Sequence, residues 1–223
     1  MPKVMNQIRS REVLIRAEAV SLPGTLVVPP VPIGSVIFAH GSGSSRHSPR
    51  NVQVALGLNE GGLATLLFDL LGADEASDRR NVFNIQLLAA RLVVATDWLC
   101  RQPEMRGLRI GYFGASTGAA AALWAAGEPL AEVTAIVSRG GRPDLAVPRL
   151  GAVRPPTLLV VGGEDALVLE LNREAQEQLR CQSEVVVVPG ATHLFEEPGA
   201  LERVTDLARG WFTRHLGASA SKI

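Results

Sequence analysis

Short apolar runs rich in β-branched residues alternate along this chain with longer stretches in which apolar positions recur at helical spacing, separated by Gly, Pro and polar breaks. The runs at 35–39, 64–68, 109–113, 135–138, 157–161 and 184–188 are too short and too continuous for helices. They read as strands buried on both faces. Residues 13–17 and 24–28 read as an opening antiparallel pair, because Leu22-Pro23-Gly24 and Val28-Pro29-Pro30 supply breaks around them. Helices fit the gaps at 51–61, 82–101, 116–126, 167–180 and 200–215, several opening beside a capping residue or a proline.

Strands and helices in strict alternation predict an α/β fold: a doubly wound, mainly parallel sheet of about eight strands with a site at its carboxyl edge. The 223 residues form one domain on this reading, with a core over about 11–216 and a frayed tail at 217–223. No internal repeat or long linker divides them. Only residues 140–156 separate the sixth main strand from the next, too few to build a lid domain.

Lysine plus arginine and aspartate plus glutamate number 22 each. No summed field would therefore gather nucleic acid or an anionic membrane, and any taste for a charged ligand must come from local residues. Cys100 and Cys181 are far apart and fit a reducing compartment better than a disulfide scaffold. The first twenty residues carry too many charges for a signal peptide or anchor, so a cytoplasmic protein is expected. Ser221-Lys222-Ile223 differs by one residue from a peroxisomal address, but reads rather as a frayed end. The sequence leaves both a monomer and a homodimer open.

The stretch from Gly111 to Ala120 carries the most chemistry: an apolar strand runs into Gly114-Ala115-Ser116-Thr117-Gly118 and then into a small-residue helix. Glycines two before and two after the serine let strand and helix approach closely in a strained turn, exposing the serine hydroxyl at the helix start. Backbone N–H groups there would meet a developing oxyanion. The same pattern also describes a serine that merely caps a helix after a tight turn.

A serine hydroxyl needs a base within hydrogen-bond reach and a carboxylate to hold that base in the right tautomer. Strand 157–161 runs into Gly162-Gly163-Glu164-Asp165, which places a carboxylate at the edge that bears Ser116. Asp165 is preferred, with Glu164 the competitor. After the last strand, Pro189-Gly190-Ala191-Thr192-His193 returns a histidine over the turn, whereas His40 and His47 precede the serine and His215 falls on the polar end of the last helix. Ser116, Asp165 and His193 are thus the expected catalytic residues. The backbone N–H groups of Ser42, in the loop His40-Gly41-Ser42-Gly43-Ser44-Ser45, and of Thr117 are the expected oxyanion hole. No Gly-Lys-Ser/Thr pattern follows that loop, which argues against nucleotide binding.

Arg46, His47 and Arg50 follow the same loop, and Arg139 and Arg142 follow the strand at 135–138. Arg139 and Arg46 are candidates for binding an acidic substrate group, since a guanidinium can donate two parallel hydrogen bonds to a carboxylate. The alternative is that Arg139, Arg142 and Asp144 pin their own loop by ion pairs. Asp69, at the end of Leu66-Leu67-Phe68, is expected to fix a loop. Trp124 and Phe195 would shape a small, open site if they turn inward.

Together these segments resemble the dienelactone hydrolase family of α/β-hydrolases over nearly the whole chain. Residues 38–51 and 137–145 look like a subgroup found alone or fused to a phosphoribosyltransferase domain, which these 223 residues do not include. The resemblance implies hydrolysis of a small ester or lactone by a serine hydrolase, with neither metal nor organic cofactor. A thioesterase, amidase or small peptidase on the same triad, or a noncatalytic binding module, are the alternatives. Two positions depart from the family pattern: a cysteine stands where Ser116 is, and a glutamate that gates it stands where Gly41 falls. Dienelactone itself is therefore a doubtful substrate.

Overall fold

The computed structural model describes residues 7–129 and 131–217. Eight strands form one sheet: β1 (Arg9–Ala17), β2 (Val20–Val28), β3 (Gly34–Ala39), β4 (Leu63–Phe68), β5 (Ile110–Ala115), β6 (Val133–Arg139), β7 (Thr157–Gly162) and β8 (Ser183–Val188). Their order across the sheet is β1-β2-β4-β3-β5-β6-β7-β8. β1 and β2 are antiparallel, as are β2 and β4, and every later pair is parallel. β3, β4, β5 and β7 are buried at every position, which is why their sequences are continuous apolar runs. The edge strands β1 and β8 are instead largely exposed or half-buried.

The helices are α1 (Pro49–Glu60), α2 (Ala73–Ser77), α3 (Arg79–Val82), α4 (Ile85–Cys100), α5 (Thr117–Ala126), α6 (Val147–Leu150), α7 (Ala166–Gln178) and α8 (Ala200–Leu216). Alternate strand residues point to opposite faces, and two cores result. Ile37, Ile136 and Leu159 pack with residues of α4, α5 and α7, while Val36, Phe38, Val137 and Val160 pack with α1 and α8. The sheet is therefore doubly wound, and its parallel strands bring their carboxyl ends to one edge.

The opening hairpin is longer than its sequence suggests, because Leu22-Pro23-Gly24 lies inside β2 rather than before it. The Pro23 carbonyl accepts from the Asp69 N–H just past the end of β4, so the missing proline N–H falls on the same side, where the β2–β4 ladder has not yet begun. A second difference concerns residues 72–84. The expected helix from 82 to 101 begins only at Ile85, capped by the Asn84 side chain, and two short helices precede it. After β6 there is only a single tight turn at Pro143–Ala146 and then α6, with no lid domain. Residues 218–223, including Ser221-Lys222-Ile223, lie outside the described residues. No helix among the described residues is long and apolar enough to cross a membrane.

Candidate active site

Ser116 stands between β5 and α5 with φ 51° and ψ −120°, a conformation that non-glycine residues rarely adopt and that costs on the order of 1–3 kcal/mol. The turn is tight because its glycines leave no room for more: a Cβ on Gly118 would collide with the Ala39 and His40 carbonyls, and one on Gly114 with the backbone of Ala119. Its geometry is tied to the end of β6 and to the loop after it by two backbone bonds. The Ser116 N–H donates to the Arg139 carbonyl at 3.2 Å, and the Arg142 N–H donates to the Ser116 carbonyl at 3.1 Å.

His193 leaves β8 in the turn that the sequence suggested, and its Nδ1 lies 2.6 Å from Asp165 Oδ2. That pairing makes Nδ1 the donor and leaves Nε2 as the free, lone-pair-bearing nitrogen. Glu164 is exposed, and its backbone N–H, not its carboxylate, bonds the histidine loop at Ala191. Gly140 joins the two parts of the site. It directly follows the residue that accepts from Ser116, and a Cβ there would lie 3.5 Å from His193 Nδ1.

The loop after β3 wraps over the start of α5. Gly41 approaches the serine so closely that a Cβ on it would lie 3.1 Å from Ser116 Cβ. The N–H groups of Ser42 and Thr117 donate to no protein acceptor among the described residues. His40 holds the loop: its Nδ1 donates to the Gly41 carbonyl at 3.0 Å and its Nε2 accepts from the Leu70 N–H at 3.1 Å. Burial pushes its pKa below the ordinary 6.5, against smaller opposing effects of the Gly41 carbonyl and Asp69.

The arginines divide into two kinds. Asp69 accepts from both the Arg46 backbone N–H and its Nη1, each at 2.7 Å, so Asp69 fixes the loop. Arg142 forms a two-pronged pair with Asp144 at 2.8 and 2.7 Å. Arg139 has no such partner. It is 8% exposed, no carboxylate pairs with it among the described residues, and its Nη1 is buried without a hydrogen bond. Burial pushes its pKa down to about 10, and the charge of Arg50 adds to the effect.

A cavity of about 400 Å³ opens beside the serine turn, bounded by His40, Ser42, Thr117 and the segment from Leu70 to Val82. The sequence reading missed this wall. Its signals were present in the apolar pair Leu70-Leu71 after the strand-ending Asp69, and in Gly72 followed three residues later by Glu75. Trp124 does not shape the site; it lies under Arg149 in a groove beside α4, with the guanidinium 5.7 Å from its ring centre. Phe195 is buried in the core on the α1 and α8 side of the sheet, and a Cβ on Gly140 would lie 3.4 Å from its ring. No cluster of three metal-ligating side chains occurs among the described residues.

The crystal structure of a dienelactone hydrolase from Anabaena variabilis superimposes on this chain with a TM-score of 0.91 at 52% identity, covering 94% of this chain and 99% of that one. The chain belongs to the dienelactone hydrolase family. Members share the α/β-hydrolase fold, and Est1E from Butyrivibrio proteoclasticus has it too, with a TM-score of 0.78 at 18% identity over 91% of this chain and 98% of that one. A Mycobacterium tuberculosis protein named "Putative phosphoribosyl transferase" is 58% identical over 209 residues, which make up 94% of this chain. The chain spans only 47% of that relative's length. No family model matches it.

Proposed function

We propose that this protein is a serine hydrolase that cleaves a small carboxylic ester or lactone through an acyl-enzyme. The observation that carries this reading is the 2.6 Å pair of His193 and Asp165, placed across Gly140 from the strained turn of Ser116. Ser116 is the nucleophile, His193 the base, and Asp165 the residue that fixes the histidine tautomer. The activity named for the longer relative stays with that protein.

In the first half-reaction His193 Nε2 takes the Ser116 hydroxyl proton while Oγ bonds to the substrate carbonyl carbon. The carbonyl electrons move onto oxygen, where the N–H groups of Ser42 and Thr117 receive the negative charge. The tetrahedral intermediate collapses, the carbon–oxygen bond to the leaving alcohol breaks, and His193 returns its proton to that oxygen. In the second half a water gives a proton to His193 and its hydroxyl to the acyl carbon, the bond from that carbon to Ser116 Oγ breaks, and His193 passes the proton to Oγ, releasing the acid and restoring both residues. These residues supply nucleophile, base and charge stabilisation without a cofactor.

Arg139 is the group proposed to receive an acidic part of the substrate, because its charge is buried and unmatched. Arg46 is the weaker candidate, since Asp69 already occupies its Nη1. The free thiols of Cys100 and Cys181 fit a cytoplasmic setting. Matched ester, thioester and amide substrates, assayed on wild type and Ser116→Ala, test the assignment. Ester turnover that vanishes in the variant is expected; turnover retained in Ser116→Ala would refute it.

A further inference from the structure

The 400 Å³ cavity lies on one side of Ser116 and His193 on the other. In the sheet, β5 separates β3 and β4, whose following loops bound the cavity, from β6, whose last residue is Arg139, and from β7 and β8, whose following loops bring Asp165 and His193. On the serine-hydrolase reading the tetrahedral carbon bears four groups. One is Ser116 Oγ, and the second is the oxyanion between Ser42 and Thr117. The leaving oxygen must lie beside His193, which protonates it. Only the acyl substituent remains, and the vacant direction is toward the cavity.

The lining suits an apolar chain. Leu70 and Leu88 are buried at its base, Leu71 and Val82 add apolar wall, and Ala73 and Ala76 lie on α2 at the outside. The ionic groups at its rim, Arg46 and Asp69, are paired with each other. The α2–α3 segment is pinned through Glu75, which accepts from the Gly72 N–H at 3.0 Å and pairs with the largely buried Arg91 at 2.9 Å. Arg91 in turn donates to the Ala17 carbonyl at 3.0 Å, so the roof is anchored to α4 and to the opening hairpin. The volume falls within the range of about 300–1,000 Å³ typical of small-molecule sites.

We infer that this cavity is the acyl-binding site, that it takes an uncharged aliphatic chain, and that the small side chains of α2, Ala76 foremost, set the chain length admitted. This rests on the serine-hydrolase reading above. Ala76 is exposed and on a short helix, so a larger side chain there narrows the cavity without disturbing the core.

The test compares p-nitrophenyl acetate, butyrate and octanoate with acetate esters of increasing alcohol length, on wild type, Ala76→Phe and Val82→Ala. Ala76→Phe is expected to lower the octanoate-to-acetate ratio of kcat/KM by about tenfold or more, the scale of one or more methylenes misfitted in an apolar pocket. Val82→Ala should shift the ratio the other way. Dependence on alcohol length should be unchanged in both variants. Equal effects on all acyl lengths, or a change confined to alcohol length, would overturn the acyl assignment while Ser116-dependent turnover left the hydrolase reading standing. Wild type inert to every ester, with Ser116 unlabelled by a fluorophosphonate, would remove both.

Discussion

The two flanks of Ser116 differ in how their charges are paired. On the β3–β4 flank the charged and titratable side chains that line the cavity have partners, Arg46 with Asp69 and His40 with both the Gly41 carbonyl and the Leu70 N–H, and Glu75 pairs with Arg91 behind the lining. On the β6–β8 flank Asp165 holds one nitrogen of His193 and leaves the other free, while the buried Arg139 has no carboxylate partner among the described residues. A matched group holds the scaffold. An unmatched one is where a ligand gains most, because burial has already cost the group its water. On the proposed function, the first flank would shape what is bound and the second would act on it.

The largest expected break in this contrast is Asp165→Asn. The amide cannot hold His193 in the same tautomer, so kcat should fall by about 10⁴-fold with the fold intact, as in other triads. Glu164→Gln should stay near wild type, and loss of turnover in that variant instead would move the acid by one residue.

Next comes Arg139→Met, set against Arg46→Met. For Arg139, kcat/KM on a carboxylate-bearing ester should drop relative to a matched neutral ester by about 10- to 100-fold, the range of a charged hydrogen bond. The melting temperature should rise, because an unpaired buried charge is replaced by an apolar chain of similar length. Arg46→Met should do the reverse, lowering stability by stranding Asp69 and affecting both esters alike. Equal losses on the two esters in Arg139→Met, with lowered stability, would make Arg139 a loop-holding residue as well.

The smallest effect is a slope with pH. His40 has a folded pKa below its ordinary 6.5, so below that pH the unfolded chain takes up a proton that the folded chain resists. Stability should fall as pH drops through 6.5 and level off below the folded pKa. Urea melts of wild type and His40→Gln between pH 7.5 and 5 would read it. The same slope in both proteins would assign it elsewhere.

Much of the β5–β8 architecture was legible because its signals are local. Gly114 and Gly118 around Ser116 mark a close strand–helix approach, and Asp165 and His193 each follow an apolar strand, buried for Asp165 and at the sheet's edge for His193, so their edge follows from the strand alone. Pairing was not legible. Arg46 and Arg139 look alike in sequence, but the partner of Arg46 lies 23 positions away on another loop, and the isolation of Arg139 appears only once the fold buries it. The cavity roof was also hidden, since α2 and α3 are too short for apolar periodicity and are held mainly by the distant Arg91. Pro23 misled in the other direction, reading as a break where it only occupies an unladdered side of β2.

The account rests on Ser116 as a nucleophile, and covalent labelling tests that without knowledge of the substrate. Wild type and Ser116→Ala, incubated with an alkyl fluorophosphonate and analysed by intact mass and peptide mapping, should show one adduct on the peptide containing Ser116 in wild type and none in the variant. An adduct on any other residue, or one that persists in Ser116→Ala, would contradict it.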